Sequence, residues 1–87
     1  MNYQLSPYLS VKRIDNEVFV LDRKNGQMHT FNSSAAFLWG CLERGVAVNE
    51  LGPSLTASFE VEPASAQADA EAFVADCEKK NLLTILP

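Results

Sequence analysis

Few residues in this chain could carry chemistry. There is one histidine, His29, and the two cysteines, Cys41 and Cys77, have no further Cys or His near them, so no metal-ligand set can be assembled. In a reducing compartment both cysteines read as small apolar core residues. The four glycines, at 26, 40, 45 and 52, fit neither a GxGxxG nor a P-loop spacing, which excludes the common phosphate cradles and implies no cofactor. No apolar run approaches the roughly 18 residues that span a bilayer, and the N-terminus lacks a basic region followed by an apolar stretch. A cytoplasmic location is therefore expected, with no membrane partner. Positive charge is also short: seven Lys and Arg stand against eleven Asp and Glu, for a net charge of −4. Such a field repels polyanions, so nucleic acid is a poor partner. Six of the seven bases fall in isolated pairs, Lys12-Arg13, Arg23-Lys24 and Lys79-Lys80, which read as solvated faces or turns.

Catalysis is hard to build from what remains. A hydrolase would need His29 as its base from the middle of a strand, and Ser33 and Ser34 are better explained as helix-capping residues than as nucleophiles. The Asn32-Ser33-Ser34 triplet matches a glycosylation acceptor formally but belongs to the same cap. The carboxylates at Glu60, Glu62, Asp69, Glu71 and Asp76 fall on a polar face or linker. The expectation is a chain that is not an enzyme.

What the sequence does have is enough apolar content, 47% of 87 residues, to close one core, so residues 1–87 read as one domain. Three strands come first. Val11 to Ile14 is half-polar, Glu17 to Leu21 carries the continuous apolar run Val18-Phe19-Val20-Leu21 and is expected to be covered on two faces, and Gln27 to Phe31 follows an Asn-Gly turn. Asp15-Asn16 suits the first hairpin loop, giving an antiparallel meander with its most apolar strand in the middle. The period then changes. Ala35, Leu38, Trp39 and Leu42 mark a helix from Ser34 to Arg44, capped by Asn32 or Ser33 and leaving through Gly45. A second helix is expected from Asn49, its cap, to Phe59, with Pro53 tolerated in or near the first turn. A third, from Ser65 to Lys80, presents Ala66, Ala70, Phe73, Val74 and Cys77 on one face and leaves through Asn81. The segment from Leu82 to Ile85 is expected to be a strand pairing with Val46 to Val48.

Both outer strands of a meander leave a row of backbone donors and acceptors open, and proteins usually blunt such rows with charge or proline. The first strand carries Lys12 and Arg13. The third, Gln27-Met28-His29-Thr30-Phe31, has neither proline nor formal charge at neutral pH, so it is the better template for a strand from another chain, unless the C-terminal residues cover it. Two copies of the chain could also pair through that edge as a homodimer.

A hairpin with a valine-rich second strand, the turn from Asp22 to Gly26, then HTFNSSAAFLWGCL and DAEAFVADCEKKNLL strongly resemble the PqqD family, also called RiPP recognition elements. The family's Leu-Asn, small pair and Ile-Trp-x-Leu-Leu pattern corresponds here to Phe31-Asn32, Ala35-Ala36 and Leu38-Trp39-Gly40-Cys41-Leu42. Its usual glycine after the last helix is Asn81 here, and Gly52-Pro53 replaces stronger helix formers. The resemblance implies an α+β, winged-helix-like fold of three antiparallel strands followed by three helices. It further implies a non-catalytic peptide chaperone for the leader of a ribosomally made precursor peptide, serving a radical SAM or other modifying enzyme, as in pyrroloquinoline quinone biosynthesis. Carried over by position, the docking edge is Gln27, Met28, His29, Thr30 and Phe31, and the opposing helix face is Asp69, Ala70, Phe73, Val74 and Cys77. The same elements also suit a winged-helix nucleic-acid binder, which the charge disfavours, or a regulatory subunit that has kept the fold without the peptide.

Overall fold

The computed structural model describes residues 2–87. Five strands and three helices follow in order: β1 (Asn2–Leu5), β2 (Leu9–Ile14), β3 (Glu17–Asp22), β4 (Gln27–Asn32), α1 (Ser33–Glu43), α2 (Val48–Ser58), α3 (Pro63–Lys79) and β5 (Leu83–Leu86). The fold is α+β. Its sheet is the antiparallel meander β2-β3-β4, with Val11 opposite Val20 and Val20 opposite His29. Asp15, at φ 54°, and Gly26, at φ 70°, supply the left-handed backbone that the two turns need.

The core joins one face of this sheet to the helices through Val18, Val20, Phe31, Leu38, Trp39, Leu42, Leu51, Leu55, Val74 and Leu82. Strand β3 is covered on one face rather than two. Val18, Val20 and Asp22 are buried, whereas Phe19 and Leu21 are only half-buried on the opposite side. A run of four apolar residues in a row concealed the alternation.

Helices α1 and α3 end alike. After α1, Gly45 (φ 79°) lets its own N–H reach the Leu42 carbonyl at 3.1 Å and the Val46 N–H reach that of Cys41 at 3.0 Å. After α3, Asn81 (φ 61°) does the same, with Asn81 to Glu78 at 3.1 Å and Leu82 to Cys77 at 2.9 Å. Both are Schellman endings, and asparagine serves where glycine is usual. At the start of α1, by contrast, Asn32 makes no side-chain capping bond and Ser33 takes a left-handed φ of 48°.

Strand β5 does not pair with Val46 to Val48. It pairs antiparallel with β1, Asn2 opposite Leu86 and Leu5 opposite Leu83, as a separate two-stranded sheet. Residues 46–48 are otherwise engaged: the Val46 N–H closes α1, its carbonyl accepts the Tyr3 hydroxyl at 2.7 Å, and Val48 already begins α2.

Helix α2 starts one residue before the expected cap, behind Ala47, so Pro53 falls inside the helix rather than in its first turn. A proline there removes a donor and crowds the preceding turn. The Gln67 carboxamide of α3 lies against this irregular stretch, accepting from the Gly52 N–H at 3.0 Å and donating to the Val48 carbonyl at 3.3 Å. Those are the two groups that an i to i−4 helical bond would pair. A Cβ on Gly52 would collide with the Gln67 Oε1 and stand 2.8 Å from its Cα, so only glycine fits this contact between α2 and α3.

A candidate peptide-binding edge on β4

Strand β4 bonds to β3 on one side only, and β5 is occupied with β1, so among the described residues the outer edge of β4 is unpaired. Alternate residues of such an edge direct N–H and C=O away from the sheet. The edge of β2 is also open, but it carries Lys12 and Arg13, and the Arg13 guanidinium is ion-paired with Glu43 on α1. The open edge of β4 is bare of formal charge.

The side chains of β4 divide by strand alternation. Met28 and Thr30 are exposed on the outer sheet face, Met28 at 57%. On the inner face, Gln27 is exposed, His29 is half-buried and Phe31 is buried. The Phe31 ring is enclosed by three groups, two from the helices and one from the residue that follows α3. Trp39 of α1 lies 5.6 Å away, Phe73 of α3 meets it edge-on at 5.2 Å, and the Lys80 ammonium sits 5.9 Å above the ring. Lys80 is held by Asp76 at 2.8 Å, one helical turn back. The His29 Nε2 and Trp39 Nε1 atoms are buried and have no hydrogen-bond partner among the described residues.

The C-terminal end of α3 comes close to the β3–β4 turn, where Asn81 shares a cleft of about 340 Å³ with Asp22 and Asn25. That turn is fixed by the Asp22 carboxylate, which accepts from Asn25 Nδ2 at 2.7 Å and from the N–H groups of Lys24 and Asn25 at 3.0 and 3.3 Å. The Asn25 side chain, then these backbone donors, hold the Asp22 carboxyl below the usual aspartate range despite its burial.

The helix residues expected to face the edge separate into two groups. Asp69 is exposed and Phe73 half-buried, with Phe73 against β4. Ala70 and Cys77 are fully buried and Val74 nearly so, within the core formed with α2 and β5. Burial pushes the Cys77 thiol up to about 12, and the neighbouring Asp76 charge adds to the effect. These three support α3 from behind and offer no surface to a chain arriving at β4. Asp76 and Lys80 stand nearer that edge instead. Their spacing of three and seven from Phe73 was a readable signal, but counting apolar residues selects the buried side of the helix.

No curated protein matches the chain. Two solved structures share its architecture. One, TbiB1 in complex with the TbiA(beta) leader peptide, is 23% identical with a TM-score of 0.90, over 97% of this chain and 98% of that one. The other, a lasso peptide synthetase B1 complexed with the leader peptide, is 28% identical with a TM-score of 0.86 over the full length of both. The family model described as coenzyme PQQ synthesis protein D matches residues 17–83, from the start of β3 into β5, and the chain belongs to the PqqD family.

Proposed function

We propose that this chain binds the leader of a ribosomally made precursor peptide as an additional strand on β4 and presents it to a peptide-modifying enzyme, itself making and breaking no bond. The observation that carries this reading is the uncharged, unpaired edge of β4 beside Phe31, Phe73 and Lys80. Main-chain hydrogen bonds along β4 supply affinity, and alternate leader side chains enter the space between β4 and α3 and set the register. Both structural relatives are complexes with leader peptides, which supports the same class of ligand. Holding the leader raises its effective concentration at the enzyme, a radical SAM protein or another modifying enzyme. Among the described residues no helix is long and apolar enough to cross a membrane. The proposed encounter with a newly made precursor is one of the cytoplasm. A second copy pairing through β4 would compete with the leader for the same backbone groups.

On this reading the leader meets the main chain of Gln27 to Phe31 on one side and Asp69, Phe73, Asp76 and Lys80 on the other. Ala70, Val74 and Cys77 act from the core. An NMR titration of the labelled protein with a synthetic leader should shift amides of residues 27–31 and of the β4-facing side of α3. Phe73→Ala should weaken the complex roughly 10- to 30-fold, the ~1.5–2 kcal/mol of a desolvated aromatic anchor. Met28→Pro and His29→Pro remove neighbouring N–H groups that point to opposite sides of the strand. One should abolish leader binding with the fold intact, and the other should disrupt the β3–β4 hairpin. Undiminished binding to both variants, or shifts confined elsewhere, would refute the site.

A further inference from the structure

The side of α3 turned away from β4 carries a second, chemically different surface. A cleft of about 410 Å³ is lined by Val48 of α2, Glu71, Val74, Ala75 and Glu78 of α3, and Ile85 of β5. A second cleft, of about 750 Å³, continues from Glu71 between α2 and α3 past Pro53, Ala57 and Pro63. The two share Glu71, so together they follow α3 from Pro63 to Glu78, about 22 Å at helical rise. The floor of the first cleft is aliphatic, the second adds Asn49, Thr56 and Gln67 between its apolar residues, and no Lys or Arg lines either. Glu71 and Glu78 are exposed, and Glu71 is oriented by the Gln67 amide at 2.8 Å.

We propose that this groove docks a basic amphipathic helix of a partner protein. Three features select that occupant. The groove is as long as about four turns of helix and runs along an existing helix. Ala75 at its centre lets a second helix approach closely, near the lower end of the usual 8–10 Å interaxial range. Glu71 and Glu78 are two turns apart on one side, so Lys or Arg residues seven apart on a partner helix, flanking aliphatic residues, meet both carboxylates at once. The clefts involve none of the residues that enclose Phe31, so a helix seated there leaves β4 free. On the proposed function, the partner is the enzyme that acts on the bound leader, and α3 contacts the leader on one side and the enzyme on the other.

The test uses a synthetic helical peptide of about 15 residues, with leucines at i, i+3, i+4 and i+7 and lysines seven apart beside them, and a counterpart with glutamate for lysine. Titrated into the labelled protein, the lysine peptide should shift Val48, Ala75, Glu78 and Ile85 and leave residues 27–31 unmoved. In Glu71→Gln/Glu78→Gln, which keeps an acceptor for Gln67, its affinity should fall about tenfold, while leader affinity stays unchanged. Equal binding of the glutamate peptide, shifts outside the groove, or unaltered affinity in the double variant would overturn the proposal. A wild-type protein that binds the lysine peptide here but no leader would retain this site and remove the proposed function, so the two failures are distinguishable.

Discussion

Replacing Gln67 with alanine removes the link between α3 and the irregular part of α2. The wild-type carboxamide makes three hydrogen bonds, from the Gly52 N–H at 3.0 Å, to the Val48 carbonyl at 3.3 Å and to Glu71 Oε2 at 2.8 Å. Gly52 and Val48 are buried, so their bonds carry the usual net value of about 1 kcal/mol each, whereas the exposed pair with Glu71 adds at most ~0.5 kcal/mol. Alanine recovers a few tenths of a kcal/mol through helix propensity, leaving a loss of about 2 kcal/mol. In a domain of this size that lowers Tm by roughly 8–16 °C. Urea unfolding followed by circular dichroism gives the free energy, and calorimetry gives Tm. If Gly52 and Val48 can close an ordinary helical rung once the carboxamide is gone, the loss will be small. A drop of less than about 2 °C would show that the side chain follows the helix geometry rather than sustaining it. Because Gln67 lies away from the Phe73 contact with β4, leader affinity in this variant should fall only as far as the folded fraction does.

Two further predictions concern stability. Tyr3→Phe deletes the hydroxyl that donates to the carbonyls of Leu42 at 3.1 Å and Val46 at 2.7 Å, and should cost about 1 kcal/mol by urea unfolding; no change would mean that β1 is held by its pairing with β5 alone. Cys77 gives an alkaline dependence: its folded thiol is pushed up to about 12, against about 8.5 in an unfolded chain, so its contribution is complete below about pH 8.5 and declines as pH rises towards 12, at most ~1.4 kcal/mol per pH unit. Stability curves of the wild type and Cys77→Ala should converge between pH 9 and 11, and curves that stay parallel would contradict this origin.

The meander, the three helices and the exits at Gly45 and Asn81 were legible because each rests on local signals: turn residues that accept positive φ, and a change of period after Phe31. What escaped was non-local. The strand Asn2–Leu5 is short and mixed in polarity, and it exists because β5 and the Leu42 and Val46 carbonyls lie beside it. A strand so weakly marked gives Leu82 to Ile85 no evident partner in the sequence, and the expected pairing with Val46 to Val48 gives way to one with β1. The interior position of Pro53 escaped for the same reason, since the supporting contact comes from Gln67, fifteen residues further on.

The same distinction runs through the site. An edge strand without charge is visible in five consecutive letters, so β4 could be singled out from Gln27 to Phe31 before its pairing was known. A helix wall is not visible in that way, because α3 is alanine-rich and three of its sides meet different surroundings. Ala66, Ala70, Val74 and Cys77 face the core, Phe73 faces β4, and Glu71, Ala75 and Glu78 line the opposite groove. Hydrophobicity identifies only the first of these. The second depends on where the Phe31 ring lies, and the third on where Val48 and Ile85 come to rest. Phe73→Ala and Glu71→Gln/Glu78→Gln alter separate sides of one helix, and so should separate leader affinity from partner affinity. If either variant changed both by the same factor, α3 would be responding as a rigid whole, and the division of labour between its faces would fail.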